Sequence, residues 1–205
     1  MSDIKLNFIN NSNDANNSEI IIFQKNEAIA DSPAVAWKVI KNCGQGCNHP
    51  FAFSLGVTVS ASDSYGNYSP QLPATGGQVF QVILTPSGDR LEMTSITTQP
   101  GEIDIVNASA SDAVNANIYR NGRLLAIKTG VLPGQKAAFA FQPTLWIGAV
   151  SKMQQGEIID SAIVSQLNTK ISLTGIKSAD IVMTGGGPGP SSTAFNFSLQ
   201  NVVYA

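Results

Sequence analysis

Charged side chains are scarce in this chain. Asp, Glu, Lys and Arg make up 13% of its 205 residues, against a usual share of roughly 25%. The solvated surface is therefore built from Asn, Ser, Thr and Gln, which suits secreted β proteins and assembling shells better than a metabolic enzyme. The formal net charge is −2 and the basic residues are scattered. No stripe of cations is available to neutralise phosphates, which argues against nucleic-acid binding, and no polybasic membrane anchor is present. Long hydrophobic runs are missing too. Glu19 to Phe23 and Phe139 to Val150 are too short or too interrupted to span a bilayer. The opening M-S-D-I-K-L-N-F lacks the apolar core of a secretory signal. The expectation is a cytoplasmic protein, or one exported by a route without a cleaved N-terminal signal.

Cysteine and histidine are nearly absent. The two thiols, Cys43 and Cys47, and the one imidazole, His49, lie within seven residues of each other. Two cysteines are too few for a disulfide scaffold. Zinc binding by Cys43, Cys47 and His49 would need an Asp or a water to complete the site. A small Cys43–Cys47 disulfide is open in an oxidising compartment if the loop geometry allows it. The bland reading is two unlinked thiols in a turn, with His49 an ordinary residue before Pro50.

Catalytic constellations are thin for the same reason. Any Ser-His-Asp or Cys-His arrangement would have to use His49, and no G-x-S-x-G elbow exists. Glu92, Glu102, Asp104, Glu157 and Asp160 could supply the carboxylate pair of a glycosidase. Nothing in the sequence brings a specified pair together, and solvated strand-end carboxylates are the ordinary case. Gly185 to Pro190 is Gly-rich but lacks the Lys-Ser/Thr of a phosphate-binding loop. It reads as a connector. No cofactor is implied.

What the chain does have is a period of 2. Phe51, Phe53, Leu55, Val57 and Val59 alternate with small or polar residues, which predicts a strand with one buried face. Phe195, Phe197 and Leu199 alternate likewise, as do Ile4, Leu6 and Phe8. Asn121-Gly122 predicts a two-residue hairpin turn, since both residues accept positive φ. Pro86 to Asp89 reads as a longer hairpin loop, and Pro133-Gly134 as a type II turn. The stretches 34–42 and 157–168 read as strands or short helices. Ten or more short strands separated by turns predict an all-β sandwich with little helix.

The sequence also repeats itself. G-C-N-H-P-F-A-F (Gly46 to Phe53) is echoed by G-Q-K-A-A-F-A-F (Gly134 to Phe141). F-I-N-N-S (Phe8 to Ser12) is echoed by I-V-N-A-S (Ile105 to Ser109). Apolar-aromatic strands follow at Ile20 to Phe23 and at Ile118 to Tyr119. The expectation is one sandwich domain over 1–205, made of two tandem pseudo-symmetric units, about 1–97 and 101–205, that meet near Thr97 to Gly101.

The best binding candidate is the loop holding Asp63, Tyr65, Asn67 and Tyr68. Aromatic faces stack on the apolar side of a sugar, and Asp and Asn hydrogen-bond its hydroxyls. Protruding loops of a sandwich are common sites. The competing reading is a loop whose rings fold back as a lid on the core. Trp37 and Trp146 read as core anchors. The N-x-S/T sequons at Asn10, Asn16, Asn67, Asn107 and Asn196 reflect the abundance of Asn and Ser.

Three patches carry a resemblance: F-I-N-N-S with I-I-F-Q-K-N and A-V-A-W (Phe8 to Trp37), P-T-L-W-I-G (Pro143 to Gly148) and Q-G-E-I-I-D (Gln155 to Asp160). Together they resemble small bacterial β-rich proteins of the RhiA type. The resemblance implies a bacterial origin and a single β-rich domain, and it carries over no catalytic or binding residue. The leading functional expectation is a non-enzymatic interaction or structural module that engages a protein partner or itself. A carbohydrate-binding module using the aromatic loop is the alternative, and a glycoside hydrolase-like enzyme the third reading.

Overall fold

A computed structural model describes residues 3–30, 32–109, 112–167 and 169–205. Among the described residues the regular structure is almost entirely strand. The first stretch holds β1 (Ile4–Asn10), β2 (Glu19–Phe23), β3 (Ala34–Val35), β4 (Lys38–Ile40), β5 (Asn48–Phe53), β6 (Val57–Ser62), β7 (Leu72–Ala74), β8 (Gln78–Thr85) and β9 (Gly88–Thr97). The second holds β10 (Glu102–Asn107), β11 (Val114–Arg120), β12 (Arg123–Val131), β13 (Lys136–Ala140), β14 (Thr144–Val150), β15 (Ile158–Ile159), helix α1 (Ser161–Gln166), β16 (Thr169–Ser172), β17 (Ile176–Gly186) and β18 (Thr193–Tyr204). Among the described residues no helix is long and apolar enough to cross a membrane.

These strands form two units. One comprises Met1–Gln24, Ala34–Leu55 and Pro143–Ala205, and the other Lys25–Pro33 and Gly56–Gln142. Each unit holds two four-stranded sheets. In the first unit their orders are β18-β17-β1-β5 and β16-β14-β2-β4, and in the second β9-β8-β10-β13 and β7-β6-β11-β12. The first unit adds the short β3–β15 pair and α1, whose N-terminus is capped by Asp160 accepting from Ala162 N at 2.7 Å. Buried Trp37 meets Phe53 edge-on at 5.8 Å in its core. Phe80, Ile105, Ile118 and Phe139 are buried in the second unit.

The two units are the same fold, strand for strand. β17 and β18 form an antiparallel pair, β1 runs parallel to β17, and β5 runs antiparallel to β1. β8, β9, β10 and β13 repeat that pattern. The registers coincide: Phe8 lies opposite Ile181 and His49, and Ile105 lies opposite Phe80 and Ala137. Met183 faces Phe197 as Val82 faces Leu91. The second sheets match in strand order and direction. Strands β1, β2, β4 and β5 therefore recur as β10 to β13, and β6, β7, β8 and β9 as β14, β16, β17 and β18.

Chain order makes this an exchange. The repeats run β1–β9 and β10–β18, and they meet between Thr97 and Glu102. Each unit, however, takes one half from each repeat. The first pairs β1–β5 with β14–β18, and the second pairs β6–β9 with β10–β13. The ten-residue alternation around Leu55 is accordingly two strands, β5 and β6, that enter different units through the link Ser54-Leu55-Gly56. A period of 2 continues unbroken through a link that keeps its parity, so alternation alone cannot reveal the crossing.

Turns follow their local chemistry. Asn121 and Gly122 take φ of 51° and 71°, and Arg120 pairs with Arg123 across them. The β8–β9 turn is tighter than expected, because Thr85 pairs directly with Gly88. Gly185 and Gly186 belong to the end of β17 rather than to a loop, and Gly189–Ser191 makes a 3₁₀ turn. The stretch 157–168 contains both β15 and α1, and Asn168 lies outside the described residues. Trp37 is fully buried, whereas half-buried Trp146 stacks on Phe23 at 6.4 Å with the Lys170 ammonium over its ring at 5.9 Å.

Two buried asparagines mark the equivalent ends of β1 and β10. Asn10 Nδ2 donates to Cys43 O at 2.6 Å, and its Oδ1 accepts from Ser12 N at 2.9 Å. Asn107 Nδ2 donates to Val131 O and Asp112 O at 2.8 Å each, and its Oδ1 accepts from Ser109 N at 3.0 Å. Backbone bonds repeat as well: Asn10 N to Cys47 O and Gly46 N to Asn10 O, then Asn107 N to Gln135 O and Gly134 N to Asn107 O. The sequons at Asn10 and Asn107 are therefore structural brackets with buried side chains.

Two outcomes are expected. Asn10→Ala and Asn107→Ala should each cost about 2–3 kcal/mol, because each strips partners from buried backbone groups. The measurement is the denaturant midpoint at unchanged slope. A chain cut at a protease site inserted between Gln99 and Pro100 should elute as one two-fragment complex from a sizing column, since each unit needs strands from both fragments. Separation into two folded pieces would contradict the exchange.

Candidate functional site

The loop between β6 and β7 is closed by a ring of hydrogen bonds on Asp63. Its Oδ1 accepts from the amides of Tyr65 and Asn67 at 2.9 Å each, and its Oδ2 accepts from Asn67 Nδ2 at 2.7 Å. Asp63 N donates to Asn67 O at 3.1 Å. Gly66 takes φ of 88°, which lets the chain reverse inside this ring. The Asn67 side chain, then its amide, holds the Asp63 carboxyl below its ordinary value of 3.8.

Three of the four loop residues named from sequence line one pocket. Asp63, Asn67 and Tyr68 border a cavity of about 320 Å³, which the β8–β9 turn closes with Ser87, Gly88 and Asp89. Val82, Leu91 and Val114 form its apolar floor. Ser62 and Ser69 add hydroxyls to the wall, and a bridge from Ser62 to Tyr68 pins the loop beside β6. Tyr65 does not line the pocket and is 84% exposed. Tyr68 is 65% exposed, so neither ring is folded onto the core as a lid.

The turn residues of this pocket escaped sequence reading. Pro86 to Asp89 is legible as a hairpin turn, but only tertiary pairing sets it beside a loop twenty residues earlier. What brings them together is the position of β6 and β8 in the two sheets of one unit.

The other candidate residues lie away from this pocket. Cys43 and Cys47 are free thiols. Burial, then the neighbouring Cys47, pushes the Cys43 thiol above its usual range. Partly buried His49 sits in β5 opposite Phe8. Among the described residues no group of three or more His, Cys, Asp or Glu side chains is placed to hold a metal ion. Asp104 is buried, and its Oδ2 accepts from Lys136 Nζ at 2.7 Å, with Glu102 at 3.4 Å from the same ammonium. Glu92 accepts from Gln81 and Arg90 at 2.8 Å each. Glu157 accepts from Gln154 N, while Asp160 caps α1.

The model of the RhiA family matches residues 2–184. The chain belongs to the RhiA family. That match covers the first repeat and most of the second. No curated protein and no solved structure matches the chain.

The Asp63 ring gives a pH dependence with a definite sign. A carboxyl whose folded value is lowered stabilises its loop above the ordinary value of 3.8 and loses that contribution as pH falls through the lower, folded value. Amide resonances of Tyr65 and Asn67 should move together with a midpoint below 3.8. A midpoint at or above that value would show that the ring does not hold the charged form.

Proposed function

We propose that the chain is a non-enzymatic binding module of bacterial origin that takes a carbohydrate in the pocket between the Asp63–Tyr68 loop and the β8–β9 turn. The observation that carries this reading is the gathering of an aromatic ring, carboxylates, an amide and hydroxyls over an apolar floor in a cavity of about 320 Å³. That volume lies at the lower end of the range for small-molecule sites and suits one or two sugar rings rather than a long chain. Tyr68 offers a stacking face, and Asp89 is an exposed acceptor on the opposite wall. Asp63 and Asn67 spend much of their capacity on each other, so their main part is to fix the loop that carries Tyr68.

A glycan array with the intact chain is the test. Binding should weaken at least tenfold in Tyr68→Ala and Asp89→Ala and stay within about twofold in Tyr65→Ala. An array without a hit, or a hit that survives both pocket substitutions, would remove this reading.

A second reading is supported by a separate observation. Leu84, Met93 and Ile96 are 58%, 58% and 66% exposed on the β8–β9 hairpin, whose β9 is an edge strand. Edge strands with apolar side chains pair readily with other chains. A protein partner or a second copy would dock there, and Met93→Lys with Ile96→Lys should abolish self-association through this edge, seen by sedimentation at micromolar concentration.

A further inference from the structure

We propose that copies of this chain associate by exchanging the segment 143–205, so that the first unit of one copy is completed by β14–β18 of another. The first unit is the one built from separated stretches. Met1–Gln24 with Ala34–Leu55 must meet Pro143–Ala205, and most of the second unit, Gly56–Gln142, lies between them in sequence. Each part supplies two neighbouring strands to each four-stranded sheet, β1 and β5 with β17 and β18, and β2 and β4 with β14 and β16. The closing contacts are the parallel β1–β17 ladder and the antiparallel β2–β14 ladder. Both ladders can be made by a second copy, with the rearrangement confined to the hinge 141–143 between Ala140, which bonds Asn26 and Glu27, and Thr144, which bonds Gln24. Reciprocal exchange between two copies leaves no strand unpaired, the usual basis of domain swapping. This proposal does not depend on the pocket or on the β9 edge.

The residues at the junction say which segment fits. Asn7 Nδ2 donates to Asp180 Oδ1 at 3.2 Å across the ladder, and Asn201 Nδ2 donates to Asp180 Oδ2 at 2.6 Å. In the second unit the corresponding pair is Asp104 opposite Val79, and the Asp104 carboxylate is held by Lys136. If each repeat closed on itself instead, Asp180 would stand beside Asp104 and Asn7 beside Val79. The first places two carboxylates side by side, and the second leaves an amide and its carboxylate apart. Like charges on neighbouring strands are destabilising, so the pairing code favours β1 with β17, in one chain or between two, over β1 with β8.

Because the β1–β17 and β2–β14 ladders are the same in both forms, concentration decides between them. Closure within one chain wins below its effective concentration, which for flexible connections is on the order of a millimolar.

The test uses full chains with Cys43→Ser and Cys47→Ser, one also carrying Lys5→Cys and the other Ser178→Cys, positions paired across the ladder. The two are mixed unfolded, refolded together and treated with a short bifunctional thiol cross-linker. At about 1 mM protein a cross-linked dimer is expected, and at about 1 µM its share should fall at least 100-fold. A dimer on a sizing column that does not link position 5 to position 178, or linkage equally abundant at both concentrations, would overturn the proposal. So would the absence of linked dimer at the higher concentration.

Discussion

A buried asparagine at the end of a central strand organises each unit. Asn10 lies where β1 leaves its sheet, and its amide reaches back to the Cys43 carbonyl of the turn that enters β5. Its Oδ1 meanwhile turns the outgoing chain at Ser12. One buried side chain thus ties the end of β1, and the chain leaving it, to a turn 33 residues later. Asn107 does the same for β10, the turn before β13 and the outgoing chain at Ser109. The strands so fixed are those that accept a parallel neighbour from the other half of the chain. Parallel ladders have no tight turn to set their register, so register must come from features such as these and from which side chains face inward.

The exchange of halves follows from this arrangement. β1 and β10 each need a parallel partner, and two hairpins, β8–β9 and β17–β18, can supply one. With backbones that superpose in register, the choice falls to side chains. Asn7 with Asp180, and Asp104 with Lys136, are different solutions at equivalent positions of the two units. The glycines add steric discrimination. A Cβ on Gly76 would stand 2.5 Å from the Gly101 Cα, so the second unit closes by backbone against backbone. The equivalent positions in the first unit carry Lys177 and Ile4.

Sequence echoes identify the repeats because they fall on functionally rigid places. Phe-Ala-Phe recurs at the ends of β5 and β13, where it supplies the buried rings of Phe53 and Phe139, and Asn-x-Ser recurs where the brackets form. The period of 2 gives the all-β class for the same reason. What stays hidden is which half pairs with which, since alternation specifies faces and not partners. The pairing is written in isolated polar residues, Asn7, Asp104 and Asp180, that look unremarkable one at a time. Similarly, Asp63, Asn67 and Tyr68 are legible as a loop with binding chemistry, whereas Asp89 and Leu91 join them only through the sheet order. Tyr65 has the right chemistry and the wrong side of the loop.

Comparison of equivalent positions explains why the pocket lies in one unit. Its floor residues Val82 and Leu91 correspond to Met183 and Phe197, both larger. Beyond them β8 and β17 end at equivalent positions, Thr85 and Gly186, but β8 turns at once into β9 whereas β18 follows β17 only at Thr193. Asn13 N donates to Gly185 O at 2.8 Å, and a Cβ on Gly186 would meet Asn13 and Asp14 at 3.2 Å. The backbone of the outgoing loop therefore lies on the first unit's glycines at the place that corresponds to the second unit's cavity. Of the two equivalent places, one is filled and the other is open. An unfilled apolar floor costs packing at every site that lacks a use for it. The retained opening, rimmed by Tyr68 and Asp89, is where a ligand would restore the contacts that Met183 and Phe197 provide within the first unit.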